Sequence, residues 1–454
     1  MPPETQPRAH SPWWLGGLIV VVSLVTALAV PLTQGEDFRL FAFRSGVSPP
    51  PSSDLTSGVA AQSEFQHPHA SRRERKAVRE VLGGQQAALA RDDRFSYVST
   101  WSHRPDRSRQ QAKATYANLT ALGLRDINLR LVPGSIDALV PAVLEVVKKR
   151  ALTASVRLRS SLATDSRAQR FELTYTFVSR PGRIRVRSIE TAALDHEPSW
   201  LQGRLTVIRA PRIVVVGHDK STAVTMARQL SKARRQVQAV TGAWPETLML
   251  LLPRNIDQAE RALGSGPGGI DGVAAVATTV DGSVNGNSDA MIVMNPEIWP
   301  RLSSAGVRLL LAHETAHAAT GASTVTTDSW IVEGFADYVA FEAVPMPLRF
   351  SAGSALREIG RNGYPDQLPT DTDFATTQRR LVPYAQAWVV WRTIAEQHGE
   401  ETLVDFYEAM IGHPQRLVTN LRSKLGTTEA QLTKQWLNEL ERLSTLHRSA
   451  PAPR

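Results

Sequence analysis

A polar motif lies inside an apolar run of the sequence. Residues 307–319 read VRLLLAHETAHAA, so that two histidines stand four positions apart, at His313 and His317. On an α-helix these two positions share one face, and both imidazoles can reach one metal ion. Glu314 falls on the adjacent face. The spacing therefore predicts a buried helix with a metal site, although a histidine pair on an apolar helix is more often an ordinary hydrogen-bonded core feature.

A third ligand is needed, because catalytic zinc usually takes three protein ligands and a water molecule. The 454 residues include no cysteine, so the ligands must be histidine or carboxylate, and no disulfide can form. Shortly after His317, residues 330–338 read WIVEGFADY, with Glu333 and Asp337 one helical turn apart.

The two segments resemble the gluzincin zinc metallopeptidases, the thermolysin-like and peptidase-MA-like group, in which H-E-x-x-H is followed by a helix carrying E-G-x-A-[DE]-[YF]. The resemblance extends over roughly residues 210–446. It implies that Zn²⁺ is the cofactor, with His313, His317 and Glu333 as the metal ligands. It also implies that Asp337 hydrogen-bonds the first histidine. The implied activity is hydrolysis of peptide bonds by a zinc-activated water, with Glu314 as the general base.

The family also uses a tyrosine or histidine from a later helix to stabilise the transition-state oxygen. Tyr384, which opens the segment YAQAWVVWRTIAEQHG, is similar in placement to that tyrosine and is our candidate for this catalytic role. The alternative is that Tyr384 packs beside Trp388 and Trp391 at helical spacing. Tyr364, in the loop NGYPDQ, is the next candidate.

Two departures from the aminopeptidases of this group matter. The sequence has no G-x-M-E-N exopeptidase signature, and the separation between His317 and Glu333 is shorter than in those enzymes. Endopeptidase and specialised carboxypeptidase activities therefore stay open. A different alternative is a catalytically inactive gluzincin-fold protein that binds or scaffolds at the cell envelope. The intact Glu314 argues against it, because a structural zinc ion needs no base.

The patterning of the chain predicts an α+β fold. Residues 72–200 contain two helical segments followed by alternating strands, which indicates a small domain resembling the nuclear-transport-factor-like cone fold. Residues 210–446 begin with strands and a helix and then become mostly helical. This is the layout of a thermolysin-like metallopeptidase domain, with a mixed-sheet lobe and a helical lobe. We expect residues 272–280 to form an edge strand above the metal, where a substrate peptide could pair.

The net charge of +9 is unevenly distributed. Residues 72–235 carry 32 Lys and Arg against 14 Asp and Glu, whereas residues 236–454 carry 17 against 24. The basic part suggests an anionic envelope ligand or an anionic lipid surface. The alternative is an Arg-rich surface that is simply solvated. No nucleic-acid-binding motif accompanies the charge, so no nucleic-acid partner is expected.

The N-terminal region contains an uncharged segment, residues 13–32, which is long enough to cross the hydrocarbon core of a bilayer as a helix. Trp13 and Trp14 stand where interfacial aromatic residues belong. Arg8 precedes the segment and two acids follow at residues 36–37, which favours a cytoplasmic N-terminus. The sequence therefore predicts one N-terminal membrane helix that acts as a signal anchor.

A cleavable signal peptide is the alternative, because Ala-Leu-Ala at residues 27–29 fits a cleavage site, and the protein would then be secreted. On the anchor interpretation, the protein is a single-pass protein of a bacterial cell membrane. Its C-terminal domains would lie outside the cytoplasm and meet a peptide or protein substrate there. The expected organisation is a cytoplasmic N-terminus at 1–12, the anchor at 13–32, a Pro/Ser-rich linker at 33–71, the basic domain at 72–200, the metallopeptidase domain at 210–446 and a disordered tail at 447–454.

Overall fold

The computed structural model describes residues 70–103, 105–139, 150–162, 166–180, 183–192, 194–242, 244, 246–284, 287–325, 327–375, 381–413 and 416–449. The predicted anchor at residues 13–32 and nearly all of the predicted linker lie outside the described residues. Within the described ranges, no helix combines the length and the apolar character that crossing a bilayer requires.

The first part of the described chain is a helical layer on an antiparallel sheet. Ser71 begins the first helix through a capping box with Glu74. The helices are α1 (Arg72–Ala90), α2 (Arg94–Ser99) and α3 (Asp106–Ala121). The strands are β1 (Arg125–Leu131), β2 (Asp137–Leu139), β3 (Arg150–Ser161), β4 (Ala168–Arg180) and β5 (Arg183–Glu190). The sheet order is β1-β3-β4-β5, with β2 beside β3 and every pairing antiparallel. Helices followed by antiparallel strands confirm the predicted α+β pattern, while the cone-fold resemblance stays a prediction.

A second sheet follows, with mixed strand directions. Its strands are β6 (Thr206–Ala210), β7 (Ile213–Gly217), β8 (Leu248–Leu251), β9 (Ala275–Thr279) and β10 (Ala290–Met294), in the order β6-β7-β8-β10-β9. The three central strands are parallel and the two outer strands antiparallel. The sequence prediction missed β6, which lies before residue 210 and pairs with β7. The predicted edge position of the strand within 272–280 is correct, since β9 ends the sheet.

The remaining elements are almost all helical. They are α4 (Lys220–Thr241), α5 (Ile256–Leu263), α6 (Ser304–Thr320), α7 (Ser329–Ala343), α8 (Leu348–Ser351), α9 (Gly353–Asn362), α10 (Asp371–Ala375), α11 (Leu381–His398), α12 (Glu400–Gly412), α13 (Leu417–Leu425) and α14 (Glu429–Ser449). The last helix runs past residue 447, where we expected the tail to begin. The predicted sequence of a sheet lobe and then a helical lobe is confirmed.

Helix α6 lies between these two lobes. Leu310 and Leu311 pack into the apolar cluster between the second sheet and α4. Leu309, Ala312 and Ala316 pack instead into the cluster of the helical lobe. Burial on both sides explains why the sequence around the motif is apolar with no polar stripe. A polar motif on this helix is therefore held in the interior.

Candidate metal centre

Helix α6 has defined ends that fix the register of its motif. The side chain of Ser303 caps the start, accepting a hydrogen bond from the backbone N–H of Gly306 at 3.1 Å. Gly321 ends the helix in the left-handed conformation, with φ of 69°. Between them His313 and His317 stand one turn apart, and each is 2% exposed.

Helix α7 brings the second set of polar residues to α6. The backbone N–H of Ser329 donates to the side chain of Asp371 at 2.8 Å, which anchors the first turn. Glu333 is 3% exposed and Asp337 2% exposed, and both lie among apolar neighbours of the helical lobe. Buried acids are costly unless they are paired, so their partners decide what this site does.

The three candidate ligands converge on one point. His313 Nε2 lies 3.0 Å from His317 Nε2 and 3.4 Å from Glu333 Oε2. His317 Nε2 lies 3.7 Å from the same oxygen. The donor atoms of these three residues form the group within the described chain that could hold a metal ion. The structure thus brings together the residues that the sequence singled out as ligands.

The geometry of this triangle fits a zinc ion. Tetrahedral zinc holds nitrogen and oxygen ligands at about 2.0–2.2 Å, which puts two ligands about 3.3–3.6 Å apart. The observed separations of 3.0, 3.4 and 3.7 Å lie around that range. Glu333 Oε2 accepts no hydrogen bond from any described residue. An acceptor atom buried in this way, beside two imidazole nitrogens, is what a bound cation would satisfy.

Asp337 fixes the first imidazole. His313 Nδ1 lies 2.8 Å from Asp337 Oδ1, and an ionised carboxylate can only accept a hydrogen bond. The neutral ring therefore donates from Nδ1 and keeps its lone pair at Nε2, the atom that faces His317 and Glu333. A carboxylate partner of this kind orients a metal-binding histidine and raises its basicity.

The pKa values show that the cluster favours positive charge. Burial alone would lower the pKa of His313, but the hydrogen bond to Asp337 and the nearby carboxylate of Glu333 outweigh it and hold the pKa well above its usual range. Burial alone would raise the pKa of Glu333, yet the charge of His317 and the nearby ring of His313 lower it to about 2. Burial raises the pKa of Asp337, against the effect of its bond to His313. A proton or a metal cation is what this environment stabilises.

Glu314 lies beside the cluster and outside its ligand triangle. The residue is fully buried, and its charge is one of the causes that raise the pKa of His313. Because it directly follows a candidate ligand on the helix, its side chain leaves from the adjacent face. The position is the one that the sequence predicts for a base that acts next to the metal without binding it.

A close helix crossing holds the start of α11 near Glu333. A Cβ atom built on Gly334 would lie 2.8 Å from the carbonyl carbon and oxygen of Ala387 and 2.5 Å from Trp391 Cδ1. Only a residue without a side chain lets the two backbones approach so closely. Tyr384 is one helical turn before Ala387 and 4% exposed. Gly334 directly follows the candidate ligand Glu333. The crossing therefore packs the turn that follows Tyr384 against the helix that carries this ligand.

The ring of Tyr384 packs within the apolar cluster of the helical lobe. It meets Phe374 edge-on, with 4.9 Å between ring centroids and 68° between planes. Trp388 packs against Phe341 in the same helical lobe. Tyr364 is 46% exposed and lines a cavity of about 540 Å³ together with residues at the start of α11. Of the two tyrosine candidates, Tyr384 is the one buried beside the crossing.

No local pattern in the sequence points to Tyr407, which joins the two motif helices. Its ring stacks on Phe335 of α7, with centroids 3.7 Å apart and planes 12° apart. Its hydroxyl lies 3.1 Å from the hydroxyl of Thr320, near the end of α6. Burial raises the pKa of Tyr407, and the charge of Glu333 adds to this effect. Local spacing in the sequence cannot show that Tyr407 lies close to the motif, so only the structure reveals this contact.

Comparisons with known proteins find no similar sequence and only weak structural similarity. No model of a protein family matches the sequence, and no curated protein does so. One similar solved structure is a mutant of a two-domain M1 zinc metallopeptidase bound to L-arginine, with 13% identity and a TM-score of 0.32, covering 64% of this chain and 61% of that one. Another is a mutant M1 zinc metallopeptidase from Deinococcus radiodurans bound to a Tyr-Ser-Ala substrate, with 12% identity and a TM-score of 0.31, covering 63% and 90%. This chain thus spans less than two thirds of the first structure. Its structural neighbours include zinc metallopeptidases, but the structural similarity is too low to indicate what the chain does.

Proposed function

We propose that this protein is a zinc-dependent peptidase whose metal ligands are His313, His317 and Glu333. The observation that carries the proposal is the triangle of buried donor atoms separated by 3.0, 3.4 and 3.7 Å. Bound there, zinc would lower the pKa of a water molecule and polarise the scissile carbonyl. A buried histidine pair that served the core alone would not need a buried carboxylate oxygen aimed between its two nitrogens.

The other residues of the site have separate roles in this proposal. Asp337 keeps His313 in the tautomer that leaves Nε2 available as a ligand. Glu314 takes a proton from the attacking water and passes it to the leaving amine. Tyr384 donates a hydrogen bond to the oxygen that becomes charged in the transition state. Edge strand β9 offers backbone groups with which an extended substrate could pair.

The first test separates ligand from base. Purified protein should contain one zinc ion per chain, and Glu333→Ala should lose most of it. Glu314→Gln keeps the size and hydrogen-bonding capacity of the side chain but cannot act as a base at neutral pH. It should retain zinc and lose about 10²–10⁴-fold in peptide hydrolysis. Zinc content is measured by atomic absorption, and hydrolysis with a mixed peptide library analysed by mass spectrometry.

Three results would contradict the proposal. Full zinc occupancy in Glu333→Ala would remove this residue from the ligand set. If Glu314→Gln hydrolysed peptides at the wild-type rate while His317→Ala did not hydrolyse them, Glu314 would not be the general base. If the wild type binds zinc but cuts no peptide in the library, the inactive binding or scaffold protein becomes the better description.

The extracytoplasmic location and the membrane anchor are further parts of the proposal. They are supported by the sequence of residues 13–32 and by the charged residues on either side of it. The partner would be a peptide or protein substrate outside the cytoplasm. Aminopeptidase activity is disfavoured, because the G-x-M-E-N signature is missing from the sequence, and endopeptidase and specialised carboxypeptidase activities both stay open.

A further inference from the structure

The outer face of the first sheet carries arginines opposite one another. In the register of β3 and β4, Arg159 pairs directly with Arg170. In the register of β1 and β3, Arg130 pairs directly with Arg157. We call these four residues the arginine face. All four are exposed, while the residues that alternate with them, such as Leu158 and Phe171, are in the core.

Like charges directly opposite each other in an antiparallel sheet are unfavourable. Neighbouring strands are only about 4.8 Å apart, so the two guanidinium groups of such a pair share the same region of solvent. Two acids at this face, Asp126 and Glu172, offset part of this charge. Arg157 forms an ion pair with Glu172 at 3.1 Å, but neither Arg159 nor Arg170 has an ion pair with any described residue. The stability of the fold therefore does not explain why these arginines lie opposite one another.

The arginine face lines a concavity. A cavity of about 790 Å³ is bounded by the four arginines and Asn128, with the carboxylates of Asp126 and Glu172 also in its wall. Asn128 accepts a hydrogen bond from Arg130 Nε at 2.8 Å, which holds that guanidinium group at the wall. A concave wall with several guanidinium groups can surround an anionic group, which a flat solvated surface cannot do.

We propose that the arginine face binds a polyanion that carries phosphate groups. The terminal phosphate groups of such a polyanion each present three acceptor oxygens, so two opposing guanidinium groups can bind one of them together. A carboxylate has two oxygens and is satisfied by one guanidinium fork. An extended acidic peptide also presents side chains to one face only at every second residue, about 6.6 Å apart, which is sparser than the arginine pairs. Closely spaced phosphates match the face better.

The test uses the full chain, with inorganic tripolyphosphate as the probe. Binding is measured by isothermal titration calorimetry at two salt concentrations. Arg159→Gln with Arg170→Gln should weaken binding about tenfold or more. The matched control is Arg228→Gln with Arg235→Gln, which removes the same charge from exposed positions of α4. The control should change the affinity less than about threefold, since distant exposed charges are screened.

The melting temperature supplies a second readout. Without tripolyphosphate, the arginine-face variant should melt no lower than the wild type, because the substitutions remove like-charge repulsion. A marked fall in melting temperature would show that the arginines serve the fold, and would overturn the proposal. If the control variant weakened binding equally, net charge alone would explain the effect, and the proposal would again be overturned.

Vesicles containing phosphatidylglycerol distinguish the sources of phosphate. We expect tripolyphosphate to bind and to be displaced by longer soluble polyphosphate. Binding to the vesicles without binding to tripolyphosphate would assign the face to a membrane surface, against the proposal. None of these measurements depends on peptide hydrolysis, so the result stands apart from the proposed peptidase activity.

Discussion

Tyr384 is the residue whose role the site leaves most open to experiment. Its backbone is held one turn from the crossing of α11 and α7, and its side chain is buried against Phe374. If its hydroxyl stabilises the transition state, Tyr384→Phe removes one hydrogen bond that matters only there. We expect kcat to fall about 10²–10³-fold while KM and zinc content stay close to the wild type. Steady-state kinetics on a peptide substrate measures both constants.

Tyr407→Phe is the matched control for this substitution. Tyr407 is equally buried, and its hydroxyl contacts Thr320. Loss of that contact should lower stability by about 0.5–1.5 kcal/mol and leave kcat within a few fold. A small effect of Tyr384→Phe together with a large effect of Tyr407→Phe would reverse the assignment and make Tyr407 the oxygen-stabilising residue.

The pairing of α7 with α11 is the contact between elements on which the site depends. Gly334 lies at this crossing, directly after Glu333, and any added methyl group would collide with backbone atoms of Ala387. We expect Gly334→Ala to lower the free energy of unfolding by about 1–3 kcal/mol, because a packed backbone cannot yield as a flexible side chain can. Chemical denaturation of the metal-free protein measures the change. Activity should fall as well, since the helix carrying Tyr384 must move away from Glu333.

Gly360→Ala is the control, because it makes the same chemical change in another helix. Gly360 is exposed in α9, and an added Cβ would meet nothing within 4 Å. Replacing a glycine inside a helix by alanine should raise stability by about 0.5–1 kcal/mol. The two substitutions should therefore have opposite signs. Equal and small effects would mean that the crossing of α7 and α11 is looser than the structure indicates.

The sequence predicted these elements to different extents. Local spacing was sufficient for α6 and α7, because two ligands one turn apart and an acidic pair one turn apart are properties of a single helix. The edge position of β9 was also expected from the layout. Strand β6 was missed because a five-residue strand next to a turn has little periodicity. The close approach at Gly334 and the contact of Tyr407 depend on how distant elements pack, which no local pattern contains.

The register of a sheet is a further property that the sequence did not show. The alternation in β3 places Arg157 and Arg159 on one face, and this much is visible in the residues. Whether Arg159 meets Arg170 or an acid depends on the pairing of β3 with β4, and a shift of two residues would change every partner. Only the structure identifies the arginine face.

At the scale of the whole molecule, the two sheets share one apolar core. Leu158 and Phe171 of the first sheet belong to the same cluster as Val214 and Met249 of the second. The sequence predicts two domains in this part of the chain, at residues 72–200 and 210–446. Where they meet, the basic part supplies Arg167 and the acidic part Glu246, with 2.7 Å between the charged atoms. A partly exposed ion pair contributes little, so the shared apolar surface is the main contact between the sheets.

The orientation of the protein across a membrane is a prediction about the whole chain, and it lies outside the described residues. Arg8 precedes the apolar segment 13–32, and this favours a cytoplasmic N-terminus. Arg39 and Arg44 follow the segment and oppose that orientation, so the balance of basic residues can be shifted from either side. We expect a C-terminal alkaline phosphatase fusion, which is active only outside the cytoplasm, to be active in the wild type.

Substitutions on the two sides of the segment should then act in opposite directions. Arg39→Gln with Arg44→Gln removes positive charge from the exported side and should raise the phosphatase activity per molecule. Arg8→Gln removes it from the cytoplasmic side and should lower the activity. Deletion of residues 13–32 is the control and should abolish export. An active C-terminal β-galactosidase fusion in the wild type, with a silent phosphatase fusion, would place the metal centre in the cytoplasm and would exclude both the anchor and the signal-peptide interpretations.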